Sequence, residues 1–306
     1  MGGLNLPSTK MLSLPCFLSS ANAASKMVST LYPERVASIE GIDAALALWE
    51  AQTGAAAINT PSSKSQRKLF EASAARLYKE LAESTPDSPN AVRLKCLSCT
   101  EAGAYLSGPP SQKHRTRLDG PAFACAVRLR QGQPVAAASR CVCGQDLDPL
   151  GSHALNCRHG NGKQVRHRLI NEFVRSAFVS AGCAVVLEPQ GLSRTDGKRP
   201  GVTVLPFSNG RCLSWDATCW NPLAPSHFAT AVRKNGAVAE NAEAQKRAKY
   251  EGSLENVDFV PLAVESTGAV GPSFLKLLSK LSARIADRGV REGAHSRLLR
   301  ELSAAV

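Results

Sequence analysis

The chain has 306 residues, 43% of them hydrophobic and 20% charged, a balance that suits a soluble globular protein long enough to bury a substantial core in about two domains. A net charge of +12, with a pI near 9.4, favours an acidic partner, nucleic acid above all. Ten cysteines without a secreted-module spacing argue against a disulfide scaffold, and no apolar run reaches the length of a membrane span.

Near the N-terminus, Lys10 precedes a short apolar run over residues 11–18, and Ala21-Asn22-Ala23 follows, a faint imitation of a signal peptide. Pro15 breaks that run, so the chain is expected to act inside the cell. Residues 39–51 and 65–82 carry apolar side chains at helical spacing, with small and polar linkers at 53–65 and 84–90. This part holds no phosphate-binding glycine loop, no paired-aspartate polymerase motif and no repeat. Cys96 and Cys99 form a lone Cys-x-x-Cys, best read as partly buried thiols. Residues 112–130 are basic and turn-rich and are expected to bridge to the segment around Cys141.

Cys141-Val142-Cys143 and His153-Ala154-Leu155-Asn156-Cys157 place four soft ligands within 17 residues, separated by turn-formers. Zinc takes tetrahedral thiolate and imidazole ligands, commonly as two short pairs on adjoining turns. The i, i+4 spacing of His153 and Cys157 puts both on one face of a helical turn. A structural zinc site is therefore expected. The competing reading is a set of small buried hydrophobes, which suits Cys143 poorly beside Gly144 and polar residues.

Beyond Cys157 the pattern predicts an amphipathic helix over residues 165–181, a strand at 183–187, a basic loop at 193–200 and a strand at 202–207. A turn at 208–210, a return strand at 211–218, a helix at 237–250, a strand at 259–265 and a helix at 275–285 complete it. The order αβββαβ implies an α+β fold with a mixed sheet flanked by helices. Each half of the chain has a net charge of +6, but the second concentrates its whole surplus between Arg158 and Arg211.

Asp216 is expected at the end of a buried strand, where a carboxylate is costly unless paired or bound to a cation. Asp216 and Glu188, with Lys246, Lys249 and Tyr250 on the next helix, are candidates for one cleft. Two carboxylates and a lysine suit a hard divalent cation, magnesium or manganese, that activates water against a phosphodiester. Each residue also has a plainer reading. Asp216 would cap a turn before Asn221-Pro222, Glu188 would be a surface strand end, and Lys246 and Lys249 would pair with Glu240 and Glu243. Trp215 and Trp220 read as core residues.

Taken together, these pieces resemble the C-terminal region of non-LTR retrotransposon polyproteins, where a zinc knuckle precedes a restriction-like endonuclease of the PD-(D/E)XK superfamily. In order they are Cys141-Val142-Cys143, His153 to Cys157, Arg166-His167, Glu188-Pro189, Lys198-Arg199-Pro200, Trp215-Asp216-Ala217-Thr218 and Lys246-Arg247-Ala248-Lys249-Tyr250. The stretch Gly2 to Ser8 is similar to the one that follows the reverse transcriptase in such polyproteins. The resemblance implies a mostly helical segment over residues 1–120, a basic linker and zinc knuckle over 121–160, and a restriction-endonuclease-like domain over 161–306.

It also implies metal-dependent DNA cleavage, with Asp216 and Glu188 holding the cation and Lys246, with Lys249 or Tyr250, at the scissile phosphate. Arg166, His167, Arg194, Lys198 and Arg199 would contact nucleic acid, DNA first and element RNA second, in the nucleus. One departure matters. The family motif reads Arg/Lys-Pro-Asp, and its Asp binds metal, whereas this chain reads Arg199-Pro200-Gly201. Either Gly201 replaces that carboxylate or the Asp was deleted, and cleavage is expected to be impaired. The alternatives are a non-catalytic, zinc-dependent nucleic-acid-binding protein or a retroelement remnant without function.

Overall fold

The structure, a computed structural model, describes residues 7–34, 39–56, 65–187, 201–203, 206–207, 210–250, 257–289 and 293–306. The chain divides after Pro86 into two compact units. The first holds three helices, α1 (Thr9–Leu31), α2 (Ile42–Thr53) and α3 (Ser65–Glu83). Leu18, Trp49 and Leu69 form its buried centre, and the Trp49 indole donates to the Leu69 carbonyl at 3.3 Å. The apolar run around Pro15 lies inside α1, which is capped by Ser8, whose hydroxyl accepts from the Met11 amide.

The second unit begins with α4 (Pro89–Cys96), a 3₁₀ turn (Ala104–Leu106) and α5 (Gly120–Gln131). The last of these corrects the turn-rich bridge expected over 112–130. Asp119 caps it by accepting from the Ala122 amide, Pro121 fits its first turn, and Gly132 ends it with φ +68°. Gly and Pro read as breakers in sequence here serve as the two ends of a helix.

A hairpin of β1 (Ser139–Arg140) and β2 (Asp146–Leu147) follows, then the short α6 (Ser152–Asn156) and the long α7 (Gly162–Ser180). The main sheet has β3 (Val185–Val186), β4 (Gly201–Thr203) and β5 (Cys212–Trp220). Helices α8 (Pro225–Arg233) and α9 (Ala237–Tyr250) lead to β6 (Val257–Glu265), and α10 (Pro272–Asp287) and α11 (Ala294–Ala305) complete the unit. The strand order is β3-β4-β5-β6, antiparallel except for the nine-residue parallel pair β5/β6. A parallel neighbour needs a crossover, and α8 and α9 supply it.

The mixed α+β architecture is therefore as the sequence implied, with α8 and α11 added to the expected elements. Strand β5 alternates faces. Leu213, Trp215 and Ala217 join Phe178 of α7 and Phe274, Leu278 and Leu281 of α10 in the main core. Ser214, Asp216, Thr218 and Trp220 take the other face, toward α9, whose Ala239 and Ala242 pack with Ala263 and Trp220. Trp215 is fully buried and stacks on Phe178 at 5.0 Å, as a core residue should. Trp220 instead stacks on His227 at 4.5 Å.

Candidate functional site

The metal-ligand atoms of Cys141, Cys143, His153 and Cys157 all lie within 4.8 Å of one another. Cys141 Sγ is 3.5 Å from Cys157 Sγ, and Cys143 Sγ is 3.2 Å from His153 Nε2. A tetrahedral zinc with Zn–S bonds of about 2.3 Å sets its thiolates about 3.8 Å apart, so the four residues fit such an ion with little movement. Local chemistry builds the pocket. Gly144, at φ +84°, turns the knuckle, and its amide donates to the Cys141 carbonyl. Both Asp148 oxygens accept from amides at the start of α6, those of Ser152 and His153, which fixes the histidine's turn.

Burial pushes the Cys157 thiol up. The amides of His159 and Gly160 and the thiols of Cys141 and Cys143 outweigh it and hold Cys157 down to about 6. A thiolate stabilised in this way is what zinc takes as a ligand. Cys96 and Cys99 show the opposite. Burial drives them up to about 12 and about 11, and Cys99 donates to the Cys96 carbonyl, so this pair consists of packed thiols.

Asp216 lies at the middle of β5, not at the strand end that the sequence suggested, because β5 runs on to Trp220 beside β6. Its carboxylate is 13% exposed, and one oxygen accepts from both Lys246 Nζ and the Tyr250 hydroxyl, the latter at 3.0 Å. His167 Nε2 stands 3.7 Å from the other oxygen. Burial raises the Asp216 carboxyl, but the nearby His167 ring, the Lys246 charge and the hydrogen bonds from Lys246 and Tyr250 prevail and hold it down to about 2. His167 neighbours Asn171, which accepts from the Trp215 indole at 3.3 Å. Asp216, Lys246, Tyr250 and His167 thus come together from β5, α9 and α7. The turn-capping reading of Asp216 does not apply to a mid-strand residue.

The pairing of Lys246 with Glu243 is also excluded. Glu243 is buried and accepts from the Ser273 and Phe274 amides at the start of α10, while Glu240 pairs with Lys234. Lys249 Nζ sits 5.5 Å from the Tyr250 ring centroid. Arg166 turns inward and donates to the Leu155 carbonyl at 2.5 Å, tying α7 to α6 rather than only facing solvent. Glu188, Arg194, Lys198 and Arg199 lie outside the described residues.

Gly201 is buried in β4, opposite Trp215. A Cβ there would overlap three atoms of the indole, so no side chain fits without displacing Trp215. Paired residues of an antiparallel ladder share a face. Position 201 therefore faces the core with Trp215, away from Asp216. Asp216 is the one carboxylate that the described residues bring to this cleft, and it is occupied by Lys246 and Tyr250. A hard cation takes about six oxygen ligands. The described cleft residues do not fit magnesium or manganese.

One residue important to this site carried no signal in the sequence. Glu265, at the end of β6, is 1% exposed and accepts from the Val238 and Ala239 amides at the start of α9. It anchors the helix that carries Lys246 and Tyr250. In sequence it is only the last residue of an apolar strand.

No protein-family model matches the chain. Over 178 residues, 56% of its length, it is 22% identical to the Retrotransposable element SLACS 132 kDa protein of Trypanosoma brucei gambiense. The chain is distantly similar to a retroelement protein. The aligned part spans 15% of that protein. Among the described residues, no helix is long and apolar enough to cross a membrane.

Proposed function

We propose that the second unit is a retroelement-derived, restriction-endonuclease-like domain that binds DNA and cleaves it poorly. The observation that carries the reading is the cluster of Asp216, Lys246, Tyr250 and His167 on a mixed sheet just after a Cys/His knuckle. A lysine and a tyrosine set on a buried carboxylate are groups that can hold a phosphodiester and stabilise its developing charge. Poor cleavage follows from Gly201, which leaves Asp216 without its partner carboxylate in the family motif. The fit of Gly201 against Trp215 favours deletion of the motif Asp over its replacement by glycine. In this reading the knuckle holds structural zinc, His167 and the basic residues before Gly201 lie along DNA, element RNA is a second ligand, and the protein works in the nucleus.

Plasmid DNA incubated with the zinc-loaded protein and magnesium or manganese tests this, with gel-shift binding to duplex DNA measured in parallel. Binding that weakens with salt is expected, with trace nicking that Asp216→Ala removes. Inserting Asp between Pro200 and Gly201 should raise nicking. Efficient cleavage by the unaltered chain would overturn the impairment, and failure to bind duplex DNA would overturn the reading as a whole.

A further inference from the structure

The four knuckle side chains fall into two pairs. Cys143 stands with His153, its Sγ 3.2 Å from the ring Nε2, and Cys141 stands with Cys157, sulfur to sulfur at 3.5 Å. The second pair joins distant points of the segment. Cys141 follows β1, and Cys157 caps the end of α6, 16 residues further on. A disulfide bond is about 2.0 Å long, so closing this pair asks for a shift of about 1.5 Å shared between two side chains.

The protein does not seal this cluster off. Cys141 and Cys143 are half-buried, and Val142 between them is 85% exposed. A hollow of about 360 Å³ opens on Cys143, His153 and Cys157, with the exposed Arg158 and His159 on its wall. Cys96 and Cys99 show the contrast. Cys96 is 1% exposed, and Cys99 donates to its carbonyl, so that pair is packed away. Sulfurs that a small oxidant reaches, near a cationic side chain and beside a second thiol, are the ones that oxidise reversibly.

We propose that the knuckle is a peroxide-sensitive switch, in which Cys141 and Cys157 pass from zinc ligands to a disulfide and the metal is released. The switch rests on the zinc-holding role proposed above for the knuckle, and not on cleavage of DNA. The half-buried Cys141 thiolate attacks one oxygen of hydrogen peroxide, the O–O bond breaks, and the departing hydroxide takes a proton from solvent. The Cys157 thiolate, 3.5 Å away, then attacks the sulfur of the resulting sulfenic acid. The S–O bond breaks, and a second hydroxide leaves and is protonated to water. Two electrons pass from the sulfur pair to the peroxide. With two of its four ligands joined to each other, the site no longer has the tetrahedral set that holds zinc. The disulfide spans the same two segments as the metal, so β1 and the end of α6 stay tethered, and Arg166 still fastens α6 to α7.

Hydrogen peroxide added to the full zinc-loaded chain tests this, with zinc followed by a chromophoric chelator and the thiols mapped by mass spectrometry of a digest. Release of one zinc per chain is expected, together with a disulfide joining Cys141 to Cys157, and both should reverse with a thiol reductant and added zinc. In hydrogen exchange, β1, β2 and α6 of the oxidised chain should open about tenfold less often, or rarer still, than in a reduced chain stripped of zinc, because the disulfide closes the same loop. Cys157→His leaves two thiolates and two imidazoles, a common zinc set, and should hold its metal against peroxide several-fold longer. Cys125→Ser, which removes an exposed thiol outside the knuckle, should release zinc as the parent does. The proposal is overturned if zinc leaves without a Cys141–Cys157 disulfide, or if zinc-loaded Cys157→His loses its metal as fast as the parent. Should that variant bind no zinc, the disulfide mapped in the parent decides. A parent chain that never binds zinc overturns the zinc site and the switch together. One that binds zinc and keeps it under peroxide overturns the switch alone.

Discussion

At Gly201 even a methyl group would collide with the core. The indole of Trp215 fills the space a side chain would need, so Gly201→Asp should destabilise the second unit by about 1–3 kcal/mol, as overpacked cores do, without gaining nicking activity. Inserting Asp before Gly201 leaves that contact intact, so urea unfolding should separate the two variants clearly. Asp216 gives a second prediction at this scale. Its carboxyl sits at about 2, below the ordinary 3.8, so its contribution to stability, about 2 kcal/mol, is present above about pH 4 and lost as pH falls toward 2. Lys246→Met removes one cause of that shift. The variant should be less stable than the parent at pH 7, and the gap should narrow when unfolding is measured at pH 3. Asp216, Lys246 and Tyr250 were singled out in the sequence through a resemblance to a motif order, and the structure brings the three side chains together. Glu265 and the inward turn of Arg166 were not, since both depend on an amide or carbonyl brought near by another element.

The elements divide into those that local chemistry specifies and those that packing specifies. Helices α7, α9 and α10 follow their apolar periodicity closely, and α9 spans residues 237–250, the range expected. Strand β5 outran its expected end because β6 pairs with it along all nine residues, and a ladder partner is invisible in local sequence. The knuckle is the opposite case. Spacing and turn residues alone brought its four ligands together, and none of them belongs to the main core cluster. Cys143→Ser should therefore lower bound zinc from one per chain toward none and loosen β1, β2 and α6. The sheet amides should keep their protection from hydrogen exchange. Loss of protection across β5 and β6 would show that zinc supports the whole unit.

Across the whole molecule, each unit has a core of its own. Leu18, Trp49 and Leu69 serve the first, and every residue of the main cluster lies beyond Asp87. A chain of residues 87–306 should therefore fold alone, bind one zinc and unfold within a few degrees of the matching transition in the full protein, as calorimetry would register. Residues 87–120, which the sequence grouped with the N-terminal helices, pack in the second unit, where the 3₁₀ turn meets α11. Composition, periodicity and ligand spacing by themselves determined the basic character, the α+β class and the clustering of the four knuckle ligands, because these depend on neighbours within a few turns of chain. Only the tertiary structure decided that Asp216 is held by Lys246 and Tyr250 and that Gly201 has no room for a carboxylate. Those facts depend on which strand faces which helix, a choice made by burial across distant segments.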